Sequence, residues 1–286
     1  MSVRTVGVID IGKSNAKFAV VDLDTRAEID VRKRPNIVQS VAPYPHFDIA
    51  GLWEFLVRLD RRTRPGEPAR RDLSVTTHGA CAALVDATGE LALPVLDYEY
   101  HGPGQARGGL RCGCRPAISP KPFTPRLPVG LNLGAQLYWQ SHELSRRSST
   151  PRPRWVLPYP QYWAWRLAGV AGIGSHLARL PHRPLEPGRR MTIPRWSTAR
   201  AGDTLFPPIH RAGRPRWAPS CPTIAARTGL PADTPVFCGI HDFQRLAPAP
   251  SAGAQGALRG RVDRHLGHRH GGRRQGQATR PGARHA

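Results

Sequence analysis

Apolar and polar residues follow patterns in the first 62 positions that predict a strand, a turn, a second strand and a helix. Residues 3–10 (VRTVGVID) are a predicted buried strand, residues 11–16 a polar turn, and residues 17–23 (KFAVVDL) a second strand. Apolar positions recur at helical spacing across residues 48–62, and Asp48 is suited to cap the start of that helix. The pattern therefore predicts a β-hairpin followed by an amphipathic helix.

Further elements are predicted along the chain by the same reasoning. Strands are expected at residues 73–77 and 82–85, on either side of a Thr-His-Gly turn. Residues 235–242 (PVFCGIHD) are a predicted buried strand that ends in a polar pair. Helices with aromatic faces are expected at residues 131–140 and 160–169. Strands mixed with helices in this way favour an α/β fold.

Several stretches between these elements are rich in Pro, Arg and Gly and predict no packed structure. They cover approximately residues 104–122, 144–154, 173–203, 211–222 and 243–286. The sequence thus predicts one domain over residues 1–242, interrupted by the first four stretches, and a disordered tail over residues 243–286.

Charge changes this interpretation, because the formal net charge of +22 is distributed unevenly. Residues 1–103 contain 13 Lys and Arg against 14 Asp and Glu, whereas residues 104–286 contain 29 against 6. Of those 29 basic residues, 28 are Arg. Surfaces that bind phosphate usually mix Lys with Arg. An excess of Arg, Pro, Gly and Ala is instead what results when a GC-rich gene is translated in the wrong frame.

Back-translation supports a displaced reading frame. With GC-rich codons and a shifted frame, residues 256–275 (GALRGRVDRHLGHRHGGRRQ) become APFAVVSTGTWVIAMAVGG, an apolar strand followed by a loop of small residues. Shorter segments, such as residues 106–113, change in the same direction. We therefore expect that insertions or deletions of single bases altered several segments and that residues 243–286 are an out-of-frame tail.

Targeting and metal patterns are missing from the sequence. The amino terminus does not resemble a signal peptide, and no apolar run approaches the roughly 18 residues that span a bilayer. Cys112 and Cys114 are too close together for a zinc knuckle. The histidines His265, His268 and His270 disappear when the frame is shifted. We expect a cytoplasmic protein with reduced cysteines and without a membrane partner.

The strongest chemical motif is the turn of the first hairpin, DIGKSNAK, which starts at Asp10. Backbone N–H groups of this turn and the polar side chains of Ser14 and Asn15 are suited to bind phosphate oxygens, and Gly12 permits their close approach. Asp10, at the end of its strand, is suited to hold Mg²⁺ through water. Two roles stay open for Lys13, which either approaches the γ-phosphate or is a solvated loop side chain. An ordinary hairpin turn is the alternative for the whole motif.

The order of the motifs resembles that of the FGGY carbohydrate kinases. The hairpin is followed by the Thr-His-Gly turn, the segments NLGAQLYW and LPYPQYWAWRL, and a strand that ends in GIHD. The resemblance covers residues 1–103, 127–142, 155–171 and 224–242, and is nearest in character to rhamnulose and fuculose kinases, whose catalytic segment also contains His-Asp. It implies a ribonuclease-H-like α/β fold of the actin/hsp70 ATPase type, with this chain carrying the amino-terminal domain.

The resemblance also implies roles for individual residues. Asp242 matches the general base that accepts the proton of the attacking sugar hydroxyl. His78 and Gly79 fall in the sugar-binding turn, and His241 would orient the base. The implied activity is phosphorylation of a sugar, expected to be a ketose, by ATP and Mg²⁺. Because an in-frame second phosphate loop and the second domain are lacking, we expect this chain to be impaired or inactive and poorly folded.

Two other functions stay open at this point. One is a basic binding protein whose Arg-rich arm, residues 243–286, contacts nucleic acid through charge. The other is a non-catalytic sugar or nucleotide sensor that retains Asp10 and transfers no phosphoryl group. The kinase hypothesis includes no specific nucleic-acid partner, and it leaves the sugar and the oligomeric state open.

Overall fold

The computed structural model describes seven parts of the chain. They are residues 5–59, 72–105, 129–147, 149–174, 205–207, 209–210 and 216–242. All of them lie in the first of the two units into which the chain divides, Met1–Pro248. The predictions for residues 243–286, for Cys112 and Cys114 and for the tail histidines lie outside the described residues.

The described residues form strands and helices in an interleaved order. The strands are β1 (Thr5–Ile11), β2 (Asn15–Asp22), β3 (Glu28–Pro35), β4 (Val38–Gln39), β5 (His46–Phe47), β6 (Asp72–Thr77), β7 (Ala82–Val85), β8 (Leu91–Leu93), β9 (Trp155–Pro158), β10 (Ile173–Gly174), β11 (Ile209–His210), β12 (Arg216–Pro219), β13 (Pro235–Phe237) and β14 (Ile240–His241). The helices are α1 (Ile49–Leu59), α2 (Gly102–Gln105), α3 (Leu133–Arg146), α4 (Tyr159–Ala168) and α5 (Pro222–Thr228).

A seven-stranded mixed sheet is the centre of the described structure. Its strands follow the order β12-β13-β6-β1-β2-β3, and β14 also pairs with β6. Strands β1, β13 and β14 each run parallel to β6, whereas β2, β3 and β12 run antiparallel to their neighbours. A separate antiparallel sheet has the order β8-β7-β9, and two strand pairs, β4-β5 and β10-β11, complete the described strands.

The main hydrophobic core joins this sheet to the helices. Ile9 of β1, Val75 of β6 and Val236 of β13 are buried in one cluster with residues of α1 and α4. Trp53 of α1 and Trp163 of α4 stack there with ring centroids 6.3 Å apart. Burial of such large aromatic side chains contributes strongly to the stability of a core of this kind.

The predicted first hairpin, the helix after it and its cap are confirmed. Strands β1 and β2 pair through the turn at residues 12–14, and α1 begins directly after Asp48. Gly51 N–H donates to Asp48 Oδ1 at 2.9 Å, which satisfies one of the free N–H groups at the start of the helix. Burial alone would raise the pKa of Asp48, but this hydrogen bond and the guanidinium of Arg34, 2.6 Å away, lower it.

Three predictions about secondary structure are wrong in part. The strand expected at residues 235–242 is two short strands, β13 and β14, separated at Cys238 and Gly239. The unstructured stretch expected at residues 211–222 contains β12 and the start of α5, because β12 pairs with β13. The stretch expected at residues 144–154 begins inside α3, and Arg154 N–H donates to Val85 O at 2.7 Å.

The predicted α/β fold of the ribonuclease-H-like type is confirmed, with a mixed sheet and helices that pack on it. Within the part of the chain that the structure describes, no helix is both long and apolar enough to cross a bilayer.

Candidate functional site

Three neighbouring parallel strands bring the predicted site residues to one edge of the central sheet. Asp10 of β1 and Ile240 of β14 are both register partners of Thr76 on β6, the strand between them. With strands about 4.8 Å apart, the Cα atoms of Asp10 and Ile240 are about 10 Å apart. The carboxyl ends of all three strands therefore lie together and carry Asp10, the turn after Thr77, and the His-Asp pair.

An irregularity in the last strand sets the direction of the His-Asp pair. Val236 pairs with Leu73 and Ile240 pairs with Thr76, so four residue steps on one strand face three on the other. One extra residue of this kind reverses the alternation of side chains beyond it. The break between β13 and β14 thus determines which way Asp242 points, a feature that apolar patterning alone does not reveal.

Helix α4 fixes this break in place. Gln161, which is buried, donates from Nε2 to Gly239 O at 2.5 Å. A Cβ atom at Gly239 would lie 2.3 Å from the backbone oxygen of Pro160, so only glycine fits between the strand and the start of the helix. Gln161 of α4 therefore holds the break in position, and Gly239, three residues before Asp242, permits it.

His241 and Asp242 contact each other at the end of β14. Nδ1 of His241 meets Oδ1 of Asp242, and the two side chains are 8% and 43% exposed. A Cβ atom at Gly79 would lie 1.7 Å from Cδ2 of His241, so the absence of a side chain at Gly79 makes room for the imidazole. The arrangement leaves the Asp242 carboxylate partly exposed at the end of β14.

His78 lies in an aromatic pocket beside this pair. Its ring centroid is 5.2 Å from that of Phe47, 5.1 Å from that of Tyr98 and 4.9 Å from that of Tyr159. The residue is 7% exposed, and neither ring nitrogen has a hydrogen-bond partner among the described residues. Buried polar atoms are normally paired, so both ring nitrogens are available to hydrogen-bond a ligand.

The charge state of His78 follows from its burial. Burial lowers the pKa of His78 to about 3, and the neighbouring His241 and Lys13 act in the same direction, whereas Asp242 opposes them. The imidazole is therefore neutral at physiological pH, with one nitrogen that donates and one that accepts. A sugar hydroxyl, which both donates and accepts, matches this pattern.

The turn of the first hairpin is held from behind by Asn36, a residue that sequence analysis missed. Asn36 Nδ2 donates to Gly12 O at 2.8 Å, and the Asn36 backbone N–H donates to Ser14 O at 2.9 Å. Gly12 N–H donates to Asn15 O at 2.9 Å within the turn. Asn36 follows β3, a strand too rich in charged residues to be predicted, so no sequence signal marked it.

Gly12 is not required by the packing of the protein itself. A Cβ atom there would meet only Asn15 O at 3.4 Å, which is an ordinary contact. Ser14 and Asn15 are exposed beside it. A glycine that the chain does not need for its own packing is consistent with the close approach of a phosphate group to this turn.

Lys13 is not a solvated loop side chain, so one of the two roles considered for it is wrong. Its ammonium contacts Asp97 Oδ1 and lies 3.1 Å from Glu99 Oε2, and the side chain is 22% exposed. Nζ also lies 5.3 Å from the centroid of the Phe47 ring and 5.0 Å from that of Tyr98. Asp97 and Glu99 follow β8 in a segment without a recognised motif, so sequence analysis missed them.

A carboxylate at this edge fits Mg²⁺. Mg²⁺ prefers one or two carboxylates together with retained water and phosphate oxygens, and Asp10 supplies one carboxylate near the end of β1 at this edge. Groups of three or more His, Cys, Asp or Glu side chains placed to hold a metal do not occur within the described ranges.

Solved structures of several kinases are similar in fold to this chain. A carbohydrate kinase from Novosphingobium aromaticivorans is 30% identical, with a TM-score of 0.67 over 86% of this chain and 50% of that chain. Xylulose kinase from Rhodospirillum rubrum is 21% identical, with a TM-score of 0.70 over 85% of this chain and 50% of that one. Plasmodium falciparum glycerol kinase with ADP is 10% identical, with a TM-score of 0.67 over 84% and 49%.

The chain therefore spans about half the length of the solved structures that it matches. Neither a protein-family model nor a curated protein sequence matches it.

Proposed function

Because the chain has the amino-terminal fold of the FGGY carbohydrate kinases, the family that its motifs resemble, we propose that its sheet edge is the acceptor site of a sugar kinase. In this proposal the chain binds a sugar beside His78 and presents a sugar hydroxyl to Asp242 for phosphoryl transfer from ATP. The observation that carries the proposal is that Asp10, His78 and Asp242 share one edge of the sheet.

Asp242 acts as the general base in this proposal. Its half-exposed carboxylate accepts the proton of the attacking hydroxyl, and the contact with His241 Nδ1 holds it in one orientation. Gly79 keeps the space in which the His241 ring lies. His241 is thus a positioning residue, and Gly79 contributes through the room that it leaves.

His78 binds the sugar through its two unpaired ring nitrogens. The neutral imidazole donates a hydrogen bond to one hydroxyl oxygen and accepts a hydrogen bond from another hydroxyl. The rings of Phe47, Tyr98 and Tyr159 surround the imidazole and exclude water from it. A ketose is the acceptor that we favour, which follows from the resemblance to rhamnulose and fuculose kinases.

The hairpin turn is the phosphate-binding part of the site. The N–H groups of residues 13–15 and the polar side chains of Ser14 and Asn15 face the phosphate, Gly12 allows close approach, and Asp10 holds the cation through water. When bound, ATP would supply the phosphoryl group, and Mg²⁺ would offset the negative charge that develops on it during transfer. Asn36 fixes the turn before any ligand binds, so its geometry is prepared in advance.

Impaired turnover is part of the proposal. Residues 243–286 contain the STGTW-like phosphate loop only in a shifted reading frame. Sugar binding, in contrast, depends on the residues around His78 that this chain retains. We therefore expect ketose binding with little or no phosphoryl transfer.

Two measurements on the purified chain test the two halves of the proposal. Isothermal titration with D-xylulose, L-rhamnulose and L-fuculose is expected to detect binding of at least one ketose, and His78→Gln is expected to weaken that binding at least tenfold. Failure of every ketose to bind would refute the acceptor site.

An assay that couples ADP release to NADH oxidation measures turnover with the same ketoses. We expect little or no turnover, and Asp242→Asn is expected to abolish whatever is detected. Turnover that survives Asp242→Asn would refute the role of Asp242, whereas strong turnover that the substitution abolishes would refute only the expected impairment.

The alternative of a basic nucleic-acid-binding protein has no support from the described residues, and its Arg-rich segment lies outside them. A non-catalytic sensor differs from the proposed function only in transfer, so the ADP-release assay and the titration together distinguish the two.

A further inference from the structure

The Lys13 ammonium is held in a cage of two carboxylates and two aromatic rings at the wall of the His78 pocket. Asp97 and Glu99, in the segment after β8, pair with it, and the ring centroids of Phe47 and Tyr98 lie within 5.3 Å of Nζ. Phe47 and Tyr98 also contact the His78 ring. The cage and the pocket therefore share two walls, and whatever binds beside His78 meets the charges of the cage.

Negative charge prevails in this region. Asp97, Glu99 and Asp242 are carboxylates around the shared wall, and Lys13 is the basic side chain that the described residues place among them. Because Lys13 is already paired with two carboxylates, the group formed by Lys13, Asp97 and Glu99 has a net charge of −1.

The ionisation of Tyr98 reports the same field. Burial raises the pKa of Tyr98 to about 12, and Glu99, Cys81, Asp97 and Asp242 all act in the same direction. Negative charge on the Tyr98 ring is thus disfavoured, and an anionic substrate group beside the ring would be repelled by the same carboxylates.

We propose that Asp97 and Glu99, by holding the Lys13 ammonium, make the acceptor site select uncharged sugars over sugar acids. This inference rests on the proposed function of the His78 pocket and assigns its substrate class. A free lysine at the wall of a sugar pocket would attract a carboxylate, so pairing it with two acidic residues removes that attraction. Asp97 and Glu99 are specificity-determining residues in this view, and Lys13 is the group that they neutralise.

The test compares each ketose of the titration panel with the aldonate of the same carbon skeleton, D-xylonate, L-rhamnonate and L-fuconate. In the unmodified chain, a ketose is expected to bind at least tenfold more tightly than its aldonate. In the double variant Asp97→Asn/Glu99→Gln, which frees Lys13 while keeping the size of both side chains, this ratio is expected to fall at least tenfold. Adding Lys13→Met to the double variant is expected to remove the gain in aldonate affinity.

Controls separate this effect from a general change in charge or folding. Glu28, at the start of β3, forms a salt bridge with Lys17 at 2.5 Å. Glu28→Gln therefore removes one carboxylate from a lysine salt bridge outside the cage, and we expect it to leave the ratio of ketose to aldonate affinity unchanged. Should the double variant unfold, Glu99→Gln alone serves in its place, because that side chain is 60% exposed.

The outcomes also distinguish this inference from the proposed function. Equal binding of aldonate and ketose by the unmodified chain, or an unchanged ratio in the double variant, would overturn the inference and leave the sugar site intact. Failure of both classes to bind would overturn the proposed function and the inference together.

Discussion

Replacing Gly12 by alanine distinguishes a turn built for phosphate from an ordinary hairpin turn. The added methyl group would meet only Asn15 O, at 3.4 Å, and no positive φ angle at Gly12 demands a glycine. The folded chain should therefore accept the alanine, and the free energy of unfolding should change by less than about 1 kcal/mol. Any strong effect must then arise when a ligand approaches the turn.

Gly239→Ala is the matched control, because the same methyl group there would lie 2.3 Å from the backbone oxygen of Pro160. Backbone atoms cannot move aside as a flexible side chain does. We expect Gly239→Ala to destabilise the chain by about 1–3 kcal/mol, as overpacking in a well-packed core does. The two substitutions add the same atoms and differ only in what those atoms meet.

Urea unfolding followed by the fluorescence of the buried tryptophans Trp53 and Trp163 measures stability. Titration calorimetry with ATP and Mg²⁺ measures phosphate binding. For Gly12→Ala we expect unchanged stability and at least a tenfold loss of ATP affinity, equivalent to about 1.4 kcal/mol. A Gly12→Ala variant that is as unstable as Gly239→Ala, or one that binds ATP as the unmodified chain does, would show that the turn is not built for phosphate.

Two further substitutions test the parts of the site that bind sugar and hold the turn. The pKa of His78 is about 3 in the folded chain and 6.5 in the unfolded chain, so only the unfolded chain takes up this proton as the pH falls from 7 to 5. The free energy of unfolding should therefore decrease by about 2 kcal/mol between pH 7 and pH 5. Urea titrations at both pH values should show no such loss in His78→Gln. An equal loss in the variant would contradict the buried, neutral state of His78. Asn36→Ala should cost about 1–2 kcal/mol and speed amide hydrogen exchange at residues 12–15, because Gly12 O loses its side-chain hydrogen-bond donor while the backbone bond to Ser14 O remains. Exchange in the turn that matches the unmodified chain would show that Asn36 does not hold it.

Local sequence was sufficient to predict the elements whose pattern is strong over many residues. The alternation in β1 and β2 and the helical spacing after Asp48 each have one dominant interpretation, and the Asp48 cap depends only on residues within three positions of it. The motif order, through the family resemblance that it carries, predicted in addition that Asp10, His78 and Asp242 belong to one site.

Features that depend on distant contacts were not predictable in this way. The extra residue at Cys238 and Gly239 depends on Pro160 and Gln161, which lie almost 80 positions earlier. Strand β12 forms because β13 offers it an edge, although its own Arg, Trp and Pro residues are typical of a loop. The carboxylates that bind Lys13 are 84 and 86 residues away from it, so no local pattern relates them.

We propose that the hairpin turn, the turn after β6 and the end of β14 form one site for nucleotide phosphate and sugar. The most direct test is paramagnetic broadening of backbone amide signals by Mn²⁺, in place of Mg²⁺, together with ATP. We predict that broadening concentrates at residues 10–15, 76–79 and 239–242 and that excess Mg²⁺ reverses it. Broadening confined to other residues, or affecting only one of these three segments, would contradict the claim.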